Sequence, residues 1–341
     1  MQPEMGNDYS LKIEKLKGRR YDEALKEFIL SEAFHHSDYS DCIKYTLESM
    51  LEIDPSYAYK VYAVSGRVHE KIAKELKKRG FHADYRYQGE LKTYSNILLY
   101  GDVEIVVIKK NIKDKPYKEI QMLAMELMDI LQGDLSFKSL EYSDRTRIKI
   151  TTLKPTCEIS ILPSVWINSQ EYKKTKNEIY RGIAEFDFKH KKVKKYLPFL
   201  NIARINAKDQ KVKGNLKSIS RLLKTLRADN ERKMDLNDAE INAIVYNLSN
   251  VDLRTDSGHL LTLLPVMEEK LNEIYINTAS FNELLSPSGK DRIFAGRPDK
   301  KAEVGKLKTA LSELIEDLKK DLEAANLTLD AEITYAAESI H

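Results

Sequence analysis

Gly101-Asp102-Val103-Glu104-Ile105-Val106-Val107-Ile108 (GDVEIVVI) decides how this chain is read. It is rich in β-branched residues and has the length of a buried strand. Alternation along a strand puts Asp102 and Glu104 on one face and Val103, Ile105 and Val107 on the other. Two carboxylates that close repel each other, and a divalent cation between them relieves the conflict. By itself the pattern is equally that of a strand with one solvated face.

The flanks make this block mixed α/β. On the N-terminal side, Asp54 is a cap and Pro55 suits a first helical position, so a helix is expected from there to Lys78, ended by Gly80. Phe81 to Gln88 is expected as a strand broken by Gly89. On the C-terminal side come a helix from Tyr117 to Leu131 and strands at Phe137–Tyr142, Arg147–Thr152 and Cys157–Leu162, the last stopping before Pro163. In that last strand Glu158 and Ser160 share a face, opposite Cys157, Ile159 and Ile161. If it neighbours the acidic strand, three carboxylates converge.

Outside the block, helical spacing dominates. Tyr21–Glu32 and Asp41–Ile53 precede it; Gly214–Ala228, Leu236–Leu248, His259–Ile276 and Lys300–Ala325 follow it, with a loop over Ser286–Asp299. From about Lys189 the chain is expected to be nearly all helix, with Lys189–Lys195 (KHKKVKK) a solvated helix face. The expected architecture is α+β, with residues 1–188 as a core carrying an N-terminal helical extension and 189–341 as a helical domain.

Bulk composition limits the function classes. In 341 residues, 42% hydrophobic and 32% charged side chains suit a globular chain with a real core. A net charge of +3 excludes a polycation, so nucleic-acid binding would need a local patch. The apolar runs are too short for a membrane span, and the first ten residues carry no signal-peptide stretch, so a cytoplasmic chain without membrane contact is expected. Cys42 and Cys157 have no CxxC partners and are expected as buried thiols. The histidines, including the adjacent His35 and His36, lack zinc-ligand spacing.

The segment Gln88-Gly89-Glu90-Leu91-Lys92-Thr93-Tyr94-Ser95, followed by Asp102 and Glu104 and later by Glu158 ahead of Leu162-Pro163, resembles the polymerase-β-like nucleotidyltransferase superfamily. The helix Asn215–Lys224 (NLKSISRLLK) adds a likeness to its oligoadenylate-synthase and cyclic GMP-AMP-synthase-like branch, which includes bacterial anti-phage synthases of nucleotide signals. The resemblance covers about Asp54 to Ala325. It implies that Asp102, Glu104 and Glu158 are catalytic and hold two divalent ions, Mg²⁺ or Mn²⁺. Gln88, Gly89, Glu90, Thr93 and Ser95 would cradle the triphosphate, and Arg221 and Lys224 would meet its phosphates. The implied activity is template-independent nucleotidyl transfer from nucleoside triphosphates, ATP or GTP, yielding a cyclic or linear oligonucleotide signal, with a nucleic-acid or protein regulator. Two departures stand out: Glu90 replaces the family's Ser after Gly, and Glu104 replaces its second Asp. They leave a second reading open, a module of the same fold that binds nucleotide or a partner without turnover.

Overall fold

The structure is a computed structural model that describes residues 7–20, 39–142, 147–188 and 190–330. The chain divides into two compact units: Asp54–Asn96 with Tyr100–Arg204, and Met1–Ile53 with Ile97–Leu99 and Ile205–His341. The expected helix Tyr21–Glu32, the His35–His36 pair and Lys189 lie outside the described residues.

The first unit is built on a seven-stranded sheet. Its strands are β1 (Ala83–Gln88), β2 (Val103–Lys109), β3 (Phe137–Tyr142), β4 (Ile148–Thr152), β5 (Glu158–Asn168), β6 (Arg181–Asp187) and β7 (Lys192–Tyr196). Their order is β1-β2-β5-β4-β3, and β6 joins the far half of β5 and carries β7. Only β2 and β5 run parallel, with Val103 beside Ile159 and Glu104 beside Ser160. The central strand is longer than expected and continues through Pro163. Pairing with β4 ends at Ile161 and pairing with β6 starts at Val165, so at Pro163 that edge has no partner. A missing N–H is tolerated there.

Helices α3 (Pro55–Lys78) and α5 (Pro116–Leu131) cover one sheet face. Asp54 caps α3 by accepting from the Ser56 N–H at 2.8 Å. Val61, Val68, Ile72 and Leu76 of α3 and Leu123 and Leu127 of α5 bury Val103, Ile105, Val107, Ile159 and Ile161. The opposite face packs Val106, Ile108, Leu162 and Ile183 beneath Trp166, Tyr196 and Phe199. This is why the whole run Ile105–Ile108 has no exposed surface.

The other unit is helical: α1 (Tyr9–Arg20), α2 (Asp41–Met50), α8 (Asn215–Asp229), α9 (Asp238–Tyr246), α10 (Leu263–Ile276), α11 (Thr278–Glu283) and α12 (Asp299–Ala324). The sheet-bearing unit also contains the four-residue α4 (Glu90–Thr93) and α6 (Gln170–Thr175), and α7 (Pro198–Lys211) runs across the boundary in sequence. Ile13, Leu16, Ile43 and Leu47 share one core with Leu216, Ile219, Leu223 and Leu311. Both cysteines are buried thiols. Among the described residues no helix is long and apolar enough to cross a membrane.

Two features differ from expectation. Residues 7–20 and 39–53 cluster with the helical unit because α1 and α2 place their apolar stripes on α8, a long-range packing choice that local periodicity does not contain. Residues 181–187 and 192–196 are strands, so the lysines at 192, 194 and 195 lie on an outer strand and not on a helix. A lysine-rich edge is a common guard against further strand pairing.

Candidate active site

The antiparallel pairing of β1 with β2 sets Gln88 opposite Glu104. Gly89 follows with φ +103° and ψ −172°, a conformation essentially confined to glycine, and opens α4. A side chain there would meet the Asp102 carbonyl: a Cβ built on Gly89 stands 3.4 Å from it. The glycine turn and the acidic strand end are therefore adjacent. Within the turn, the Thr93 hydroxyl donates to the Glu90 carbonyl at 3.0 Å and lies 2.8 Å from the Ser95 hydroxyl, and both residues are buried. Glu90 occupies the first position of α4 and is half-buried.

Asp102 is exposed just before β2, and Glu104 is half-buried. Both Glu104 oxygens have donors. Gln88 Nε2 bonds Oε2, and Arg147 Nε bonds Oε1. Arg147 Nη2 also reaches Glu185 at 3.7 Å, and the Tyr196 hydroxyl donates to Glu185 at 3.2 Å. Burial works against the Arg147 charge, but Glu104, Tyr196 and Glu185 hold its pKa above the usual arginine value. Burial pushes the Glu185 carboxyl up, Arg147 pulls it back, and Glu104 adds a further push upward. For the neighbouring phenol of Tyr196, burial lifts the pKa well above the ordinary value, with the charges of Glu185 and Glu104 adding to it.

The expected trio of Asp102, Glu104 and Glu158 is not drawn together. Glu158 carries an ion pair to Lys149 at 2.6 Å and pairs with Thr151 across the sheet, while Ser160 is the β5 residue beside Glu104. Among the described residues no three His, Cys, Asp or Glu side chains group around a point a metal ion could fill. As arranged, these side chains do not fit a divalent ion held by all three carboxylates, because basic side chains already neutralise Glu104 and Glu158.

The cationic stripe of α8 is also placed differently from expectation. Arg221 is 4% exposed and donates its Nε–H to the Met50 carbonyl at 2.9 Å, and Lys224 has no exposed surface. Burial and the nearby Arg20 charge lower the Arg221 pKa to about 10. Every residue from Ile219 to Leu226 is buried, so this helix has no solvated face over that run. In this arrangement neither side chain is open to a phosphate.

Sequence reading overlooked Arg147, Glu185 and Tyr196. For Arg147 a signal existed: alternation places it with Lys149 and Thr151, the strand face that register brings beside Ser160 and Glu158. Glu185 stands alone in an apolar run, Ile183 to Phe186, in a segment not assigned as strand.

No protein-family model matches the chain. A c-di-GMP synthase of Capnocytophaga granulosa is 29% identical, over 84% of this chain and 91% of that protein. The cyclic dinucleotide synthase CdnE of Yersinia aleksiciae is 22% identical, over 91% of this chain and 87% of that one. A solved structure, the STING-associated CdnE c-di-GMP synthase from Capnocytophaga granulosa, superposes with a TM-score of 0.76 at 27% identity, covering 92% of this chain and 99% of that one. The chain's homologues are cyclic dinucleotide synthases. The fold is that of the polymerase-β-like nucleotidyltransferases, as the Gly89 turn and acidic strand led one to expect. Nucleotidyltransferases of this kind typically need divalent metals. Other structures of the same fold are solved with GTP or with nucleotide analogues bound.

Proposed function

We propose that this chain is a nucleotidyltransferase that joins nucleoside triphosphates into a cyclic dinucleotide signal, of the kind its relatives make in STING-associated anti-phage systems. The observation that carries this reading is the adjacency of the Gly89 turn to the Asp102–Glu104 end of β2, fixed by the pairing of Gln88 with Glu104. Phosphoryl-type transfers ask little covalent chemistry of a protein; positioning and charge neutralisation supply most of the catalysis. In this chain the turn opened by Gly89 lies against the strand end that bears the acids. Asp102 is exposed at that end. Mg²⁺ or Mn²⁺ is the ion suited to an all-oxygen donor set.

Incubating the protein with GTP, ATP and their mixture in Mg²⁺ or Mn²⁺ tests the reading, with products identified by chromatography and mass spectrometry. A cyclic dinucleotide is expected from the wild type. Glu104→Gln should lower its formation by about 100-fold or more, the usual effect of removing a preorganised charge at a reacting centre. Unchanged synthesis by Glu104→Gln would refute the site. The alternative of a nucleotide-binding module without turnover is favoured by one observation, the engagement of both Glu104 oxygens, and calorimetric binding of GTP with no product would select it.

A further inference from the structure

The hairpin of β6 and β7 carries its charges in two layers. Register pairs Glu185 with Lys194 and Asp187 with Lys192, and sets Tyr196 against Ile183. Ile183 and Tyr196 belong to the apolar cluster on the Glu104 side of the sheet, so by alternation Lys192 and Lys194 rise from that side too. Lys195 pairs with Ala184, which packs with Val165 and the Ile120 side chain of α5, so Lys195 belongs to the opposite side. On the Glu104 side the acids lie beneath and the cations outside. The side chains of Asp187, Glu185 and Glu104 are 4, 9 and 12% exposed, whereas those of Arg147 and Lys194 are 32 and 58% exposed. Lys194 Nζ lies 3.3 Å from Asp187, and its charge also acts on Glu185: burial raises that carboxyl's pKa, and Arg147 and Lys194 both pull it back. Arg147 in turn reaches Glu104, which ties the hairpin to the acidic strand end. Lys192 is exposed and, like Lys195, makes no ion pair among the described residues. An anion arriving from solvent therefore meets ammonium groups before it meets carboxylates.

We propose that Lys192 and Lys194 receive the triphosphate of the incoming nucleotide. The inference rests on the nucleotidyl-transfer reading above and supplies cations for it that α8 does not, since Arg221 and Lys224 are buried. A triphosphate is a short chain of anionic groups. Two lysines two residues apart on a strand stand about 7 Å from each other along it, so they can meet different phosphates of one chain. Lysine suits the task, because a compact charge on a flexible stem holds a phosphate without fixing its orientation. Exposed contacts of this kind are individually modest and weaken with salt. Their summed field also raises the nucleotide concentration beside the acidic strand end.

The test compares the full-length wild type with Lys192→Gln/Lys194→Gln, Lys192→Arg/Lys194→Arg and Lys195→Gln, after thermal melts establish that each is folded. Steady-state synthesis from GTP in Mg²⁺ and calorimetric affinities for GTP and GMP are measured at low and at raised NaCl. The Gln pair should raise KM and Kd for GTP about tenfold at low salt with kcat within about twofold, the scale of two exposed charge contacts. Raised salt should shrink its difference from wild type. GMP affinity should change less, because GMP carries a single phosphate. The Arg pair should stay near wild type. Lys195→Gln removes a charge from the same strand on its opposite side and should leave GTP affinity within about twofold. If the Gln pair does not fold, Lys192→Gln alone, which breaks no ion pair, should still weaken GTP about threefold. GTP affinity equal to wild type in the folded Gln variants, or a loss matched by Lys195→Gln, overturns the proposal and leaves these lysines as guards of the sheet edge. A wild type that makes product while the Gln pair binds GTP unchanged refutes this inference alone. If the wild type binds GTP without product, the affinities decide; if it does neither, both readings fall.

Discussion

Replacing Asp229 with Ala should unfold the helical unit far more readily than its position at a helix end suggests. Asp229 is the last residue of α8. It receives both Arg19 Nη groups, at 2.5 and 2.7 Å, and the Tyr45 hydroxyl at 3.0 Å. Its side chain is 2% exposed, that of Arg19 16%, and Tyr45 is fully buried. Truncation leaves a largely buried guanidinium without its carboxylate and a buried phenol without an acceptor. Breaking such a pair by removing one member costs about 3–5 kcal/mol. The orphaned hydroxyl overlaps with that figure and argues for its middle, about 4 kcal/mol. A unit of some 150–250 residues loses ~2–4 °C per kcal/mol, so the unit's melting temperature should fall by roughly 8–16 °C. Urea denaturation of the full chain followed by circular dichroism measures the loss, and hydrogen exchange over Tyr9–Arg20 locates it. The triple variant Arg19→Met/Tyr45→Phe/Asp229→Leu, which replaces the network by apolar groups of similar volume, should recover most of the stability. A single variant within about 1 kcal/mol of wild type would refute the reasoning, and so would a triple variant as unstable as the single one.

Gly89→Ala should cost about 1–3 kcal/mol, because alanine must adopt a backbone conformation that only glycine holds without strain; an unchanged melting temperature would show that the turn relaxes freely. The pKa of Asp134 is the outcome of opposing effects: burial raises it, but the Lys71 ion pair and the Ser136 hydroxyl and N–H bring it down to about 2. Since its folded value lies below the ordinary carboxylate value, Asp134 contributes stability above about pH 4 that is lost as pH falls toward 2. Asp134→Asn should therefore flatten the acid limb of the melting-temperature profile between those values and leave its slope at neutral pH unchanged; a profile parallel to wild type throughout would exclude this role.

How far the sequence could be read depended on whether the deciding interaction was local. The run Ile105–Ile108 and the Asp54–Pro55 helix start are local signals, and both elements formed as expected. The outer strand β7 is exposed along most of its length, so it lacks the alternation that marks a half-buried strand, and its lysines imitate a solvated helix. The stripe at Lys217, Arg221 and Lys224 has the spacing of a charged surface, yet burial of consecutive residues shows α8 covered around its circumference. Spacing tells which residues share a helix face and is silent about what lies against that face. The same limit explains the acids. Alternation correctly put Glu158 on the Glu104 face, but register decides neighbours, and register set Ser160 beside Glu104.

Polarity along the parallel pair explains why a site forms at one end of this sheet. On the face shared by Glu104, β2 reads Glu104, Val106, Ile108 and β5 reads Glu158, Ser160, Leu162. Each strand is polar at its start and apolar further on. Parallel pairing superposes the two polar starts, which an antiparallel pair would have set at opposite ends. The apolar stretches then bury against Ile183 and Phe199, anchoring the strands where no charge has to be compensated. Carboxylates gathered at the polar end need cations, and Arg147 and Lys149 supply them from the adjoining β4 edge. A substitution that moves an acid into the apolar half, such as Val106→Glu, would place a charge among Ile108, Leu162 and Ile183. It should cost several kcal/mol, on the order of a buried unpaired carboxylate, whereas exchanging Glu104 for Gln should leave the fold intact.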